Sequence, residues 1–185
     1  DGAYIRTTMG AMALFGLVPE KYWPYKEDQY NVEPTAFMYS YAQNFQALLY
    51  YRLDADGVRG QPLLNKIKDY LRKGLPMMFG FTCFTSLDQA DDGKIPFPGR
   101  TEDVDGGHAV MAVGFDDGIK ILNPNDRDLV TTGAIKIRNS WGKEWGEEGY
   151  GWLPYDYVLK GIADDWWTMI KGEWIDTKHF GLGNG

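Results

Sequence analysis

Residues 105–117 read DGGHAVMAVGFDD and residues 133–142 read GAIKIRNSWG, and these two stretches decide the fold. In the first stretch a histidine follows paired glycines and begins an apolar run, which predicts a buried strand with His108 at its mouth. In the second, isoleucines alternate with basic residues, which predicts a half-buried strand that ends at Asn139. We predict an irregular loop between the two strands.

His108 and Asn139 together suggest the chemistry of the chain. An asparagine side-chain oxygen can accept the N–H of an imidazole, which fixes the tautomer and the ring angle without adding a charge. The pair therefore predicts the base and the orienting member of a Cys-His-Asn triad. Trp141 is predicted to lie over their hydrogen bond and to keep water from competing for it. The alternative is a satisfied core histidine, a turn asparagine and a tryptophan that only fills the core.

Four stretches together resemble a known family: residues 1–25 (DGAYIRTTMGAMALFGLVPEKYWPY), 73–81 (KGLPMMFGF), 106–117 and 138–158 (RNSWGKEWGEEGYGWLPYDYV). They are similar to the papain-like cysteine peptidases, and closest to the disulfide-poor prokaryotic members. The resemblance implies an α+β fold with two domains, of which this chain carries part of the helical left domain and an antiparallel, β-barrel-like right domain.

The domain boundary is predicted at the turn-forming residues 54–61 (DADGVRGQ). The resemblance implies a boundary at the same point. We expect residues 1–56 to form the partial left domain with a substrate loop, and residues 57–170 to form the β-rich right domain that carries His108 and Asn139. Residues 171–185 show no clear period and are expected to be a flexible or docking tail.

The resemblance also assigns roles to residues at matching motif positions. His108 would draw the proton from a cysteine, Asn139 would orient the imidazole, and Trp141 would shield the pair. Substrate contacts are assigned to Gly2, Ala3, Tyr4, Gly80, Gly107 and Ala109. Gly2 would pair with the backbone of an extended peptide, and the pocket would be a roomy apolar one for a bulky hydrophobic side chain.

The nucleophile is the member of the triad that this sequence does not place. Cys83 is the only cysteine, so no intrachain disulfide is possible. It falls inside a predicted buried strand and not at a helix N-terminus, where its pKa would be lowered, so we interpret it as structural. The resemblance implies a nucleophilic cysteine before the glycine loop at residue 2, supplied by an upstream segment or by a companion light chain.

Composition limits the other classes of function. The chain has 185 residues, 44% of them hydrophobic, which is enough for a sizeable core. A net charge of −7 without a basic run argues against a nucleic-acid partner. No apolar stretch approaches the length of a membrane span, and we expect no metal and no cofactor. The start of the chain suggests processing, which slightly favours an extracellular or processed compartment over the cytoplasm.

Three functions remain open from the sequence. The first is a thiol peptidase that cleaves a peptide or protein substrate, with this chain as its heavy chain or C-terminal part. The second is a catalytically inactive binding or scaffold module on the same frame. The third is another Cys-His-Asn acyl-transfer enzyme, such as an amidase or a transpeptidase. Fold alone does not separate them.

Local patterns predict the remaining elements. Helices are predicted within residues 3–15, from about Thr35, and over residues 63–74, where leucines and an isoleucine share one face. The other predicted elements are a strand at residues 48–53, a buried strand at 75–84, a loop at 88–105, a strand and a helical turn in 149–158, and a strand at 164–170.

Overall fold

The computed structural model describes residues 3–47, 49–90 and 92–170. Its elements are α1 (Ile5–Leu14), α2 (Ala36–Ala42), β1 (Leu49–Arg52), α3 (Gly60–Arg72), β2 (Met77–Phe84), β3 (Val104–Asn123), β4 (Asp126–Arg138), β5 (Tyr150–Pro154), α4 (Tyr155–Leu159) and β6 (Ala163–Ile170). The described chain divides into two compact units. The first contains the described residues up to Tyr51 together with Met169 and Ile170, and the second is Arg52–Thr168.

The first unit contains α1 and α2, both close to their predicted positions. Gly16 follows α1 with φ +80°, as expected of a helix-ending glycine. A Cβ at Gly16 would lie 1.9 Å from the carbonyl oxygen of Ala42, so the two backbones meet where no side chain fits. Thr35 precedes α2 and accepts the backbone N–H of Met38 at 3.4 Å, which satisfies one of the free N–H groups of the first turn. None of the helices in the described residues has the length and apolar character needed to cross a lipid bilayer.

The strands form one sheet of six, in the order β1-β6-β2-β3-β4-β5. The ladders β6–β2, β2–β3, β3–β4 and β4–β5 are antiparallel. The predicted α+β fold is therefore confirmed. The barrel-like description is too loose, because the described sheet runs from one edge strand to the other and is not closed.

Helix α3 covers part of the second unit, as its apolar face predicts. Its four buried residues are Leu63, Leu64, Ile67 and Leu71. Burying side chains of this size stabilises the fold by roughly 1.5–3 kcal/mol each. The core of this unit also contains Phe79 of β2 stacked on Trp166 of β6, with ring centroids 3.8 Å apart. This core fixes β2, and β2 in turn holds the strand that carries His108.

The predicted irregular loop between Asp117 and Gly133 is wrong. Strands β3 and β4 continue through it as a long hairpin that turns at residues 124–125. Burial alternates along residues 119–123, a pattern of period two that predicts a strand. The ladder has register shifts between Asp116 and Lys120, and many outward side chains are charged or polar, which made the segment resemble a loop.

Gly133 in β4 is predicted to be the most sensitive glycine of this hairpin. It has φ +86°, and a Cβ there would lie 2.4–2.5 Å from ring carbons of Tyr155. Gly133→Ala combines a backbone conformation that L-residues avoid with an overpacked ring, so we expect a loss of about 2–4 kcal/mol in the free energy of unfolding. Urea unfolding of the two proteins measures it.

Gly57→Ala is the matched control. Gly57 has a similar φ of +78°, and apart from its neighbours along the chain no described residue lies within 4 Å of the added Cβ. Gly57→Ala should therefore lower the free energy of unfolding by the backbone contribution alone, about 1–2 kcal/mol. Equal losses at the two positions would show that the contact with Tyr155 adds nothing.

Candidate active site

His108 is positioned by its pairing with β2. It lies directly opposite Phe81, and the two rings meet edge to face with centroids 5.9 Å apart. Gly106, two residues earlier, has φ +121°, and nothing described lies within 4 Å of a Cβ there. The glycine is therefore required for its backbone conformation within β3 and not for packing space. The imidazole two residues later is half-buried.

Asn139 follows the last residue of β4, where the sequence places it. Its backbone N–H donates to the carbonyl of Gly149 at 2.9 Å, which anchors the turn. Its Oδ1 lies 2.8 Å from Nε2 of His108 and also accepts the backbone N–H of Ser140 at 2.8 Å. An amide NH₂ could not accept the Ser140 N–H, so the oxygen faces both donors. His108 therefore carries a proton on Nε2, and Nδ1 remains as the atom that can accept another.

Trp141 lies over the imidazole of His108. The two rings are stacked with centroids 4.9 Å apart and an interplanar angle of 20°. Trp141 also meets Trp145 edge to face, with ring centroids 5.4 Å apart. Aromatic pairs of this kind contribute about 0.5–1.5 kcal/mol beyond the area that they bury. Trp141 thus covers one face of the imidazole and is itself 46% exposed.

Cys83 belongs to the same ladder but has a different environment. It lies in β2 opposite Gly106 and is 7% exposed. Burial, together with the charge of Asp105, raises the pKa of the Cys83 thiol to about 11. A thiol with this pKa is ionised in on the order of one molecule in ten thousand at pH 7, which is unsuitable for a nucleophile.

The residues assigned to substrate contacts fall into two groups. In the second unit Gly80 pairs directly with Ala109, and Gly107 pairs with Thr82, so all three adjoin His108 on the β2–β3 ladder. Ala3 and Tyr4 lie in the first unit, both exposed, at the start of α1. Gly2 lies outside the described residues.

A shallow depression of about 270 Å³ adjoins Asn139 in the second unit. Ala109, which is predicted to contact the substrate, and Asn139, which is predicted to orient the imidazole, both line this cavity. Its full lining is Met78, Ala109, Val110, Met111, Arg138, Asn139 and Ser140. Methionines adapt their shape to different neighbours, which suits a surface that contacts varied side chains.

Sequence reasoning missed two contributors to this arrangement. The backbone N–H of Ser140 shares the Asn139 oxygen with His108, and Trp145 packs edge to face against Trp141. The sequence did contain a signal for Trp145, because a second tryptophan follows Trp141 within the same glycine-rich stretch. Its contact depends, however, on how that turn folds, which spacing alone does not give.

Comparisons with known proteins identify the family of the chain. Residues 1–168 match the model of the papain family of cysteine proteases. The chain is similar to xylellain, a cysteine protease from Xylella fastidiosa, with 31% identity, a TM-score of 0.72, and coverage of 92% of this chain and 62% of that one. It is also 33% identical over 174 residues to an uncharacterized peptidase C1-like protein of Acanthamoeba polyphaga mimivirus.

A more distant structure shows the fold alone. The digestive procathepsin L 3 of Tenebrio molitor larval midgut is 19% identical with a TM-score of 0.61, and the match covers 92% of this chain and 49% of that one. The chain spans about half the length of its viral relative, since the match covers 91% of this chain and 52% of the relative. The family match over residues 1–168 and the α+β fold lead to one conclusion: the chain belongs to the papain family of cysteine proteases.

Proposed function

We propose that this chain is the part of a thiol peptidase that supplies the base and its orienting residue. The hydrogen bond of 2.8 Å between His108 Nε2 and Asn139 Oδ1 carries the proposal, because it leaves Nδ1 as the proton acceptor. The nucleophile is a cysteine outside these 185 residues, on an adjoining segment or on a companion chain. The high pKa and burial of Cys83 support that assignment.

The proposed reaction divides peptide hydrolysis into two steps. Nδ1 of His108 accepts the thiol proton, and the thiolate attacks the scissile carbonyl carbon. The imidazolium then returns the proton to the leaving amine as the C–N bond breaks, which leaves a thioester. Water attacks the thioester with His108 again as base, and the acid product and the free thiol result. Asn139 keeps the ring at the angle that both transfers need.

Gly107, Ala109 and Gly80 would form the substrate side of this site in the second unit. Their small side chains leave the surface beside His108 open to an extended peptide. Gly2, Ala3 and Tyr4 are proposed for the same function on the basis of motif position. A companion chain that carries the cysteine would be the partner, and peptides or proteins would be the substrates.

Asn139→Ala in the complete protein is the direct test of the orienting role. Without the amide oxygen, the imidazole loses the acceptor for its Nε2 proton, and misorientation of a catalytic group on this scale reduces rates on the order of 100-fold. We therefore expect kcat/KM for a fluorogenic peptide to fall by about that factor, with the larger effect on kcat.

Asn65→Ala is the control for this experiment. Asn65 is exposed on α3 and accepts a hydrogen bond from Gln61, so the same truncation removes one amide far from the imidazole in the sequence. Its kcat/KM should match that of the wild type. If the Asn139→Ala enzyme had the kcat/KM of the wild type, the orienting role would be excluded. When an amine acceptor is added to the wild-type reaction, a product in which the amine has taken the place of water would identify acyl transfer.

A further inference from the structure

A row of three residues crosses the sheet beside His108. Gly80 of β2 pairs with Ala109 of β3 on one side and with Asp164 of β6 on the other. Residues directly opposite each other in an antiparallel sheet share a face. Ala109 and Asp164 are exposed and Gly80 is half-buried. A glycine, an alanine and a carboxylate therefore form an accessible surface that begins one residue after the imidazole.

The space above Gly80 has room for an atom of a bound molecule. A Cβ at Gly80 would have three nearest neighbours, each 3.9 Å away: the carbonyl oxygen and Oδ1 of Asp164 and the carbonyl oxygen of His108. This distance is ordinary van der Waals contact, so a methylene group fits at that point without a clash. An aliphatic stem placed there touches both the Asp164 carboxylate and the strand that carries His108.

The Asp164 carboxylate is available to a ligand. Among the described residues its side chain makes no hydrogen bond or ion pair, and it acts on Arg52 only through longer-range electrostatics. The Arg52 guanidinium instead donates two hydrogen bonds to Asp54 and lies 3.5 Å from Asp165. Three carboxylates thus act on one guanidinium, so the surface beside Gly80 carries excess negative charge.

We infer that Asp164 is a specificity-determining residue that selects a peptide with a lysine or arginine side chain, whose aliphatic stem lies over Gly80 and Ala109. Long basic side chains place their stems on apolar surface and keep the charged end at a polar group, which matches this row. The inference rests on the proposed function and names the substrate class of that site. It also changes the expectation from the sequence, which was an apolar pocket for a bulky hydrophobic side chain.

The test compares fluorogenic peptides that carry one lysine with peptides that carry ε-N-acetyl-lysine at the same position, which keeps the stem and removes the charge. Each position before the cleaved bond is examined in turn with the complete protein. At one position we expect kcat/KM to favour lysine by about fivefold or more, because exposed charge pairs reach about this factor and desolvation under a bound peptide strengthens them. Added salt should reduce the preference by screening the pair.

Two variants of Asp164 assign the preference to its charge. Asp164→Asn should lower the lysine preference to about one, and Asp164→Lys should make acetyl-lysine the better side chain, since like charges repel. Asp164 is exposed, so neither variant disturbs the core. A lysine preference that persists in Asp164→Asn, or an active enzyme that shows no such preference at any position, overturns the inference.

Asp128→Asn is the matched control. Asp128 is an exposed carboxylate of the same sheet, and it lies in β4 near the hairpin turn, roughly 30 Å along the strand from Arg138. This distance exceeds the range over which salt leaves charges unscreened. The variant removes the same charge from the chain and should keep the lysine preference of the wild type.

Peptide binding to His108→Ala separates this inference from the proposed function. The variant lacks the base, so labelled peptides bind without cleavage, and fluorescence anisotropy should give a Kd about fivefold lower for the lysine peptide than for its acetyl-lysine counterpart. If the wild type cleaved none of the peptides, the proposed function would be refuted. Equal Kd values for the two peptides would refute selection by Asp164 whether or not the wild type is active.

Discussion

His108→Ala in the complete protein is expected to lower kcat/KM for a peptide substrate by about 10³- to 10⁴-fold. The imidazole is the group that takes the proton from the nucleophile and returns it to the leaving amine, and alanine can do neither. Because both steps lie after substrate binding, the decrease should appear in kcat while KM changes little. Steady-state kinetics with a fluorogenic peptide measures it.

His179→Ala is the control for the loss of a histidine. The sequence contains two histidines, and the second, His179, lies outside the described residues and outside the motifs of the proposed site. Its activity should equal that of the wild type. If His108→Ala retained more than about a tenth of wild-type kcat/KM, general-base catalysis by His108 would be excluded.

Asp54→Asn is expected to lower the free energy of unfolding by about 3 kcal/mol at pH 7. The Asp54 side chain is completely buried. It accepts two hydrogen bonds from Arg52 and the backbone N–H groups of Asp165 and Trp166. An amide has only one oxygen for these donors, so buried N–H groups lose their partner. Urea unfolding at several pH values measures the loss.

The same carboxylate predicts a pH dependence of stability. Burial raises the pKa of Asp54, but the hydrogen bond and charge of Arg52 and the two backbone N–H groups outweigh it, so its pKa lies below the usual value. The unfolded chain, with a pKa of about 3.9, therefore binds more protons than the native state in acid. The contribution is complete above about pH 5 and is lost as the pH falls through the lowered native pKa.

Asp69→Asn is the control for Asp54. Asp69 pairs with Arg72 at 2.7 Å on α3, and both side chains are more than half exposed. Exposed pairs contribute at most about 1 kcal/mol. The variant should therefore unfold nearly as the wild type does at each pH. A similar acid dependence of stability in wild type and Asp54→Asn would show that Asp54 contributes no such linkage.

The sequence was sufficient for the features that depend on local pattern. The apolar run after His108 and the alternation before Asn139 predicted two strands, and Asn139 follows the end of β4 as assigned. His108 lies inside β3 and not at its mouth, because the strand already begins at Val104. Helix α3 followed from one apolar face, since four of its residues are buried along that face. These elements form from short-range periodicity, which is visible in a single sequence.

Features that depend on distant contacts were not accessible from the sequence. Strands β3 and β4 extend into a long hairpin because they pair with each other on both sides of a register shift between Asp116 and Lys120. The polar residues at this shift interrupt the apolar pattern, so the sequence does not reveal the pairing. The Trp145 ring and the Gly93 carbonyl both approach Gly151, so this contact joins separate parts of the chain. No periodicity signals it, because it forms between a loop and a strand that are far apart in the sequence.

The central claim is that a cysteine other than Cys83 acts with His108. It is tested most directly by incubating the complete protein with a thiol-reactive peptide probe, followed by intact-mass analysis under denaturing conditions and peptide mapping. We predict one adduct on a cysteine outside these 185 residues, unchanged in Cys83→Ala and absent in His108→Ala. An adduct on Cys83, or no adduct on any cysteine, would contradict the account.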